Sequence, residues 1–376
     1  MDIIVKYIDE LLEKSTPDAP MWNIEKIRQG LKSNWNYIDG VMIKAVLQMY
    51  DVTKDEKYLK FADDFIDYRV HEDGTIEGYS IGEKNIDNVN AGKTLFELYD
   101  LTGKEKYRKA IDLVYSQIEI MPRCNNEARS FWHKDIYPNQ VWLDGMYMGQ
   151  PFYMEYETRF NDKKNYPDIF NQFFNVVKNM RDEKTGLYYH AYDSSKEMFW
   201  CDKTTGLSKN FWLRALGWYS MALLDTLTKA DNSYQPEYDQ LKQIFIDLME
   251  SMVKFQDESG MWYQVVNMGG REKNYLETSG SAIMAYSMLK GVRLGFLPES
   301  FRAYGKKAFH GICDRYLKEK DGRLSLGGIC LVAGLGGPQM RDGTYEYYMS
   351  EPVVEDDAKG VGPFLLAYTE IRRLGE

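Results

Sequence analysis

Two kinds of helical segment alternate along this chain, and they differ in how much of their surface is apolar. The first kind is apolar almost all round: GVMIKAVLQMY (40–50), GKTLFELY (92–99), GQPFYMEY (149–156), GWYSMALLDTL (217–227), GSAIMAYSMLKG (280–291) and GVGPFLLAYTEI (360–371). Helices of that character are buried on every side. The second kind carries apolar residues along one face, as in KYRKAIDLVYSQI (106–118) and EYDQLKQIFIDLMESMVKF (237–255), the pattern of a helix half exposed to water. The apolar segments each open on a glycine (Gly40, Gly92, Gly149, Gly217, Gly280, Gly360), about 64 residues apart, which is room for a helix, a turn, a second helix and a return loop. Six such pairs predict an all-α, six-hairpin (α/α) toroid or barrel made by a single domain, residues 1–376, with the apolar helices as its inner ring. All six inner helices then start at the same end, and their N–H groups and dipoles converge on one mouth that favours anionic ligands.

An internal repeat supports the hairpins. LQMYDVTKDEKYLKFA (47–62) matches LFELYDLTGKEKYRKA (95–110), with Tyr50, Asp51, Thr53 and Tyr58 answered by Tyr99, Asp100, Thr102 and Tyr107, and a fainter copy starts at Tyr156. Each copy reads as a helix end, a polar turn and the next helix start. Four glycine turns followed by alternating residues, DGTI at 73, TGLYYH at 185, SGMWYQ at 259 and DGRLSL at 321, predict minor short β hairpins or extended loops at one end of the toroid.

Composition narrows the partners. Across 376 residues, 47 basic and 57 acidic side chains give a net charge of -10, the wrong sign for a phosphate backbone, so no nucleic-acid partner is expected. Residues 1–14 (MDIIVKYIDELLEK) read as an amphipathic helix rather than a secretory signal, and no run reaches the ~20 apolar residues of a membrane span. The expectation is a cytoplasmic protein with no membrane partner. Cys124, Cys201, Cys313 and Cys330 lie far apart, as suits buried free thiols. His133 and His190 lack the spacing of a helical zinc pair and no carboxylates follow a calcium-loop pattern, so neither a metal nor another cofactor is expected.

Aromatic residues are numerous (29 Tyr, 17 Phe, 8 Trp), and most must fill the core. Some crowd the starts of the inner helices instead: NWNYIDG (34–40), KNIDNVNAG (84–92), FWHKDIYPNQVWLDGMYMGQ (131–150), FWLRALGW (211–218), YLETSGS (275–281) and EDDAKGVG (355–362). Helix capping would account for Asp39, Asp87, Asp144 and Thr278. It does not account for Trp35, Tyr37, Trp132, His133, Trp142, Trp212, Arg214 and Trp218. Rings beside carboxylates and an arginine suit a sugar, whose C–H faces stack while its hydroxyls and carboxylates take directed hydrogen bonds.

These residues also carry a resemblance. FWHKDIYPNQVWLDGMYMGQPF (131–152), YHAYD (189–193), FWLRALGWY (211–219), SGMWYQVV (259–266) and YLETSGS (275–281) are similar, in the same order, to glycoside hydrolase family 105, the unsaturated rhamnogalacturonyl hydrolases. The similarity runs from about Trp35 to the C-terminus. It implies a six-hairpin barrel that removes a 4,5-unsaturated galacturonyl residue from rhamnogalacturonan lyase products, with an unsaturated uronyl oligosaccharide, a disaccharide, as the expected partner. The resemblance makes Asp144 the catalytic acid/base and Asp87 the second carboxylate, and assigns Tyr37, His133, His190, Trp212, Arg214 and Trp218 to the pocket.

The implied reaction is hydration of a vinyl ether, with Asp144 protonating C4, water adding at C5, and the resulting hemiketal opening to release the aglycone. Such an acid must keep its proton near working pH, and the expected causes are like-charge repulsion from Asp87 and desolvation by the enclosing Trp142 and Trp218. Arg214 is the preferred partner of the uronate carboxylate, with Lys134 second; His133 and His190 either orient water and hydroxyls or are satisfied structural histidines. Met146, Met148 and Met340 are candidates to line the pocket or fill core. GGICLVAGLGG (327–337) reads as a loop over the mouth, and residues 324–358 as the source of aglycone contacts. Two other functions fit the same residues: an unsaturated glucuronyl hydrolase on other lyase products, and a non-catalytic sugar-binding toroid.

Overall fold

The computed structural model describes residues 3–375; Met1, Asp2 and Glu376, which belong to the expected first helix and to the ends of the expected domain, lie outside them. Helix α1 (Ile3–Glu13) and the short α2 (Ile24–Gln29) lead into α3 (Tyr37–Thr53) and α4 (Glu56–Asp67). A 3-10 helix, Ile86–Gly92, runs on into α5 (Lys93–Thr102), followed by α6 (Glu105–Ile120), α7 (Leu143–Phe160), α8 (Tyr166–Met180), α9 (Leu213–Lys229) and α10 (Gln235–Val253). The remaining helices are α11 (Thr278–Arg293), α12 (Phe301–Tyr316), α13 (Tyr345–Ser350) and α14 (Ala358–Arg373). None of them is long and apolar enough to cross a membrane.

The fold is the α/α toroid that the two helix types predict. α3, the 3-10 helix with α5, α7, α9, α11 and α14 each pack on the next, and α14 returns to α3, so the inner ring closes. α4, α6, α8, α10 and α12 pack behind their hairpin partners. The sixth outer position falls to α1, whose Ile4, Tyr7, Ile8, Leu11 and Leu12 are buried. Its place follows from the repeat: Tyr58 of α4 donates its hydroxyl to Asp9 of α1 at 3.0 Å, as Tyr107 of α6 donates to Asp63 of α4 at 2.6 Å. The repeated turns are also built alike. Thr53 and Thr102 each bond back to the carbonyl four residues earlier at 2.7 Å, and Tyr50 and Tyr99 reach Glu56 and Glu105. One hydrophobic cluster runs through the ring from Ile4 to Ile371.

Gly92 directly precedes α5, but the other five glycines lie inside their helices and do not start them. Gly40 is the fourth residue of α3 and Gly149 the seventh of α7. They sit where a neighbouring element comes close, Ile329 of the chain after α12 at Gly360 and other helices of the ring elsewhere: a Cβ on Gly40 would lie 2.6 Å from Ala91 Cα, inside the neighbouring 3-10 helix. Gly40→Ala improves intrinsic helix propensity, yet it is expected to cost about 1–3 kcal/mol, because backbone must move to admit the methyl group. A lower urea midpoint with unchanged slope would show this; a raised midpoint would mean that propensity wins.

Strands are short: β1 (Gln140–Trp142) pairs antiparallel with β2 (Ala191–Asp193), β3 (Leu317–Lys320) with β4 (Arg323–Leu326), and β5 (Ile329–Cys330) with β6 (Val353–Val354). Of the four expected glycine turns, Gly322 joins the β3–β4 hairpin, whereas the turns at Gly74 and Gly186 are flanked by single bridges. Gly260 adopts φ +90°, and a Cβ there would meet the Lys307 carbonyl oxygen of α12 at 2.4 Å, so this turn is shaped by packing on an outer helix. Cys124, Cys201 and Cys330 are buried and Cys313 half-buried, all as free thiols.

Candidate active site

The starts of α3, the 3-10 helix, α7 and α9 surround a cavity of about 150 Å³. Tyr37, Asp87, His133, Lys134 and Trp142 line it, with Asp144, Trp212, Arg214 and Trp218. His190 stands directly behind Asp144. The ten residues singled out from sequence are therefore brought together. Trp35 and Trp132 are not among the lining residues: Trp35 is buried and donates its indole N–H to the Asn88 carbonyl at 2.8 Å.

Strand β1 explains how distant histidines meet. The His133 N–H bonds to the Gln140 carbonyl at 2.8 Å on one side, and Trp142 pairs with Ala191 on the other. The Leu143 N–H takes the His190 carbonyl at 3.1 Å, and the chain turns at once into α7. Asp144 is thus the second residue of α7, inside its positive N-terminal field. It is not the cap. That position is Trp142, which makes no side-chain cap bond. Asp39, Asp87 and Thr278 are likewise not caps: Asn36, Asn85 and Glu277 accept the first-turn N–H groups. Asp39 instead gathers Trp22, Asn36 and Ser33 around its buried carboxylate.

Asp144 Oδ2 lies 3.3 Å from His190 Nε2, and neither buried atom has a hydrogen-bond partner among the described residues. The other imidazole nitrogen, Nδ1, is 2.7 Å from the Tyr348 hydroxyl. Buried polar atoms left in this state are costly unless something else engages them. Asp144 lines the cavity, which has room for a water or a sugar hydroxyl, and His190 is buried behind it.

Asp87 is differently placed. Lys134 Nζ lies 2.7 Å from Oδ2 and His133 Nε2 3.3 Å from Oδ1. Burial alone would push this carboxyl up, but the Lys134 ammonium and His133 outweigh it and hold it well below the usual carboxylate range. Asp87 is therefore held as an ionised carboxylate. Removing Lys134 reverses the balance, because burial then acts with less opposition. In Lys134→Met the Asp87 carboxyl is expected to protonate at a higher pH, so the acid limb of the kcat/KM profile should move upward in pH; an unmoved limb would remove Asp87 ionisation from the reaction.

The aromatic walls are stacked in layers. Trp142 lies between His133 (4.7 Å, 7°) and Tyr137 (5.1 Å, 13°), and Trp218 lies on Tyr147 (5.0 Å, 8°). Trp212 packs on His190 at 4.7 Å, and the Arg214 guanidinium sits 4.7 Å from the Trp212 ring. Arg214 is 1% exposed. It donates from Nη1 to Ser279 Oγ and the Cys330 carbonyl, and from Nη2 to the Leu331 carbonyl. Three of its five N–H groups are thus used. Nε makes no protein hydrogen bond among the described residues and Nη2 makes one, so the Nε–Nη2 edge, the side-on edge that matches a carboxylate, keeps donors to spare.

The loops after α12 complete the mouth. Val332, Ala333 and Gly334 line the cavity, as does Arg341, which donates from Nε to the Gly336 carbonyl at 3.0 Å. Arg341, Tyr137 and Tyr348 escaped the sequence reading. Tyr137 lies inside the WHKD–WLDG block, but Arg341 sits in irregular chain and Tyr348 in the short helix α13, too short for a period to mark a face. Of the candidate methionines, Met148 lines the cavity, Met146 is buried in the core and Met340 is 63% exposed.

Residues 9–375 match the family described as Glycosyl Hydrolase Family 88. The solved C. acetobutylicum ATCC 824 glycoside hydrolase from family 105 is 46% identical, with a TM-score of 0.87 over 93% of this chain and 97% of that one. The unsaturated rhamnogalacturonyl hydrolase YesR of Bacillus subtilis (strain 168) is 25% identical over 295 residues, 77% of this chain and 78% of the relative. The unsaturated glucuronyl hydrolase of Bacillus sp. GL1 shares the fold, with a TM-score of 0.65 at 15% identity over 91% of this chain and 88% of that one. Matched over nearly its whole length, with a close relative of the same architecture, the chain belongs to the glycoside hydrolases of family 88 and the related family 105.

Proposed function

We propose that this enzyme removes a 4,5-unsaturated galacturonyl residue from the non-reducing end of oligosaccharides left by a rhamnogalacturonan lyase. The broader activity, hydrolysis of oligosaccharides that carry an unsaturated uronic acid, goes with the family. The finer reading is supported by similarity to a relative named for unsaturated rhamnogalacturonyl hydrolysis. The observation that carries the chemistry is Asp144 at the wall of the aromatic cavity, its Oδ2 without a hydrogen bond and 3.3 Å from the buried His190 Nε2 behind it.

In the proposed reaction the uronate carboxylate lies on the side-on edge of Arg214 and the sugar ring stacks on the tryptophan walls. Asp144 gives its proton to C4 of the C4=C5 vinyl ether, leaving positive charge shared between C5 and the ring oxygen. Asp87, held as an anion, stabilises that charge. Water adds to C5 and returns a proton to the Asp144 carboxylate, with His190 orienting the water. The C5 hemiketal then opens to a ketone, and the C1 hemiacetal so formed expels the aglycone as an alcohol. No attack at the anomeric carbon is involved, unlike ordinary paired-carboxylate glycoside hydrolysis.

Loss of the ultraviolet absorbance of the conjugated vinyl ether tests the proposal. Unsaturated galacturonyl-rhamnose should lose it, and an unsaturated glucuronyl disaccharide should lose it far more slowly. The reverse order would transfer the enzyme to glucuronyl substrates.

A further inference from the structure

A second cavity, of about 280 Å³, lies among the inner helices, lined by residues of α3, α5, α7, α9 and α11. Most of its charges pair off, Lys44 with Glu97, Lys229 with Glu155 and Lys290 with Asp225. Lys93 does not pair in this way. It is buried, and among the described residues no carboxylate lies within ion-pair distance of its Nζ. The amine instead donates to the main-chain carbonyl of Tyr147 at 2.9 Å and sits 3.2 Å from the centre of the Tyr147 ring.

Pro151 supplies the reason. It lies inside α7, four residues after Tyr147, and a proline has no N–H to give the carbonyl at i−4. The Tyr147 carbonyl therefore loses its regular helical donor, and the Lys93 amine supplies a hydrogen bond in its place. Burial pushes the Lys93 ammonium well down from its ordinary range, but the neutral amine is a donor too. Tyr147 is also the partition between the two cavities. Its ring lines the second cavity, and stacked upon it is Trp218, which lines the substrate site.

We propose that Lys93 is a positioning residue for Trp218: it replaces the hydrogen bond that Pro151 removes from Tyr147 and so fixes the ring on which Trp218 rests. Its influence on catalysis, which rests on the function proposed above, is exerted through the platform and not by contact with the sugar.

The test pairs Lys93→Met, which has no donor, with Lys93→Met/Pro151→Ala, in which the alanine N–H can serve the Tyr147 carbonyl. The indole N–H resonance of Trp218, assigned by its loss in Trp218→Phe, should shift in the single variant and return in the double variant. This readout needs no turnover, so it stands even if the substrate assignment fails. With active enzyme, Lys93→Met should raise KM by about 5- to 10-fold, the equivalent of one lost hydrogen bond, with kcat within about twofold, and the double variant should recover KM. A Trp218 resonance unmoved in Lys93→Met, or moved but not recovered in the double variant, overturns the proposal. If Lys93→Met does not fold, Pro151→Ala is made first and Lys93→Met is introduced into it; failure of that protein to fold also overturns it, since the helix then has its own donor.

Discussion

Asp144→Asn is expected to lower kcat by about 10³- to 10⁴-fold while substrate still binds, because the amide keeps the shape of the side chain but can neither give C4 a proton nor take one from water. The position makes the test clean. Asp144 does not cap α7 and takes no protein hydrogen bond at Oδ2, where its neighbour is His190 Nε2 at 3.3 Å, so the substitution removes no hydrogen bond that holds the helix. Equilibrium binding of the unsaturated disaccharide, followed by quenching of the stacked tryptophans, should be retained within a few-fold. Turnover close to that of the parent enzyme would remove Asp144 from the acid role and leave His190, 3.3 Å away, as the nearest group able to move a proton.

Arg214→Lys is expected to reduce kcat/KM by about 10²-fold, chiefly through KM, since hydrogen bonds to a charged group are worth about 1.5–3 kcal/mol and a lysine cannot present the side-on fork. Two effects are mixed in that loss. Arg214 also ties the carbonyls of Cys330 and Leu331 to Ser279, so the loop over the mouth loosens when the guanidinium goes. The methyl ester of the substrate separates them, because it lacks the carboxylate but still needs the loop. The substitution should cost the ester much less than the acid. An equal cost on both would confine Arg214 to holding the loop.

The toroid was legible because its two helix classes differ in composition: a helix buried on all sides and one wetted along a face leave separate signatures in a single chain. The repeat was legible for a similar reason, since Thr53 and Thr102, or Tyr50 and Tyr99, make short-range bonds whose partners lie within a few residues. The tryptophans and Arg214 stood out because they are bulky where a helix start needs only a small cap, whereas Asp144 and Asp87, which capping could explain, were marked by the family resemblance. The glycines were correctly located but wrongly explained. Their periodicity is real, yet its cause is the approach of a neighbouring element, as at Gly40 and Ala91, which no local pattern reveals.

By itself the sequence determined the helix classes, the order of hairpins and the residue types gathered at the mouth, all of which depend on local periodicity and on chemistry near each residue in the chain. The tertiary structure decided which partners those residues have. It set His133 and Lys134 on Asp87 and left Asp144 facing His190, giving two carboxylates from similar helix starts different electrostatic surroundings. It brought Arg341 and Tyr348 to a site built some 200 residues earlier, and it set Lys93 beneath the Tyr147–Trp218 stack. Such pairings depend on closure of the ring, in which α14 meets α3, and distance along the chain carries no information about them.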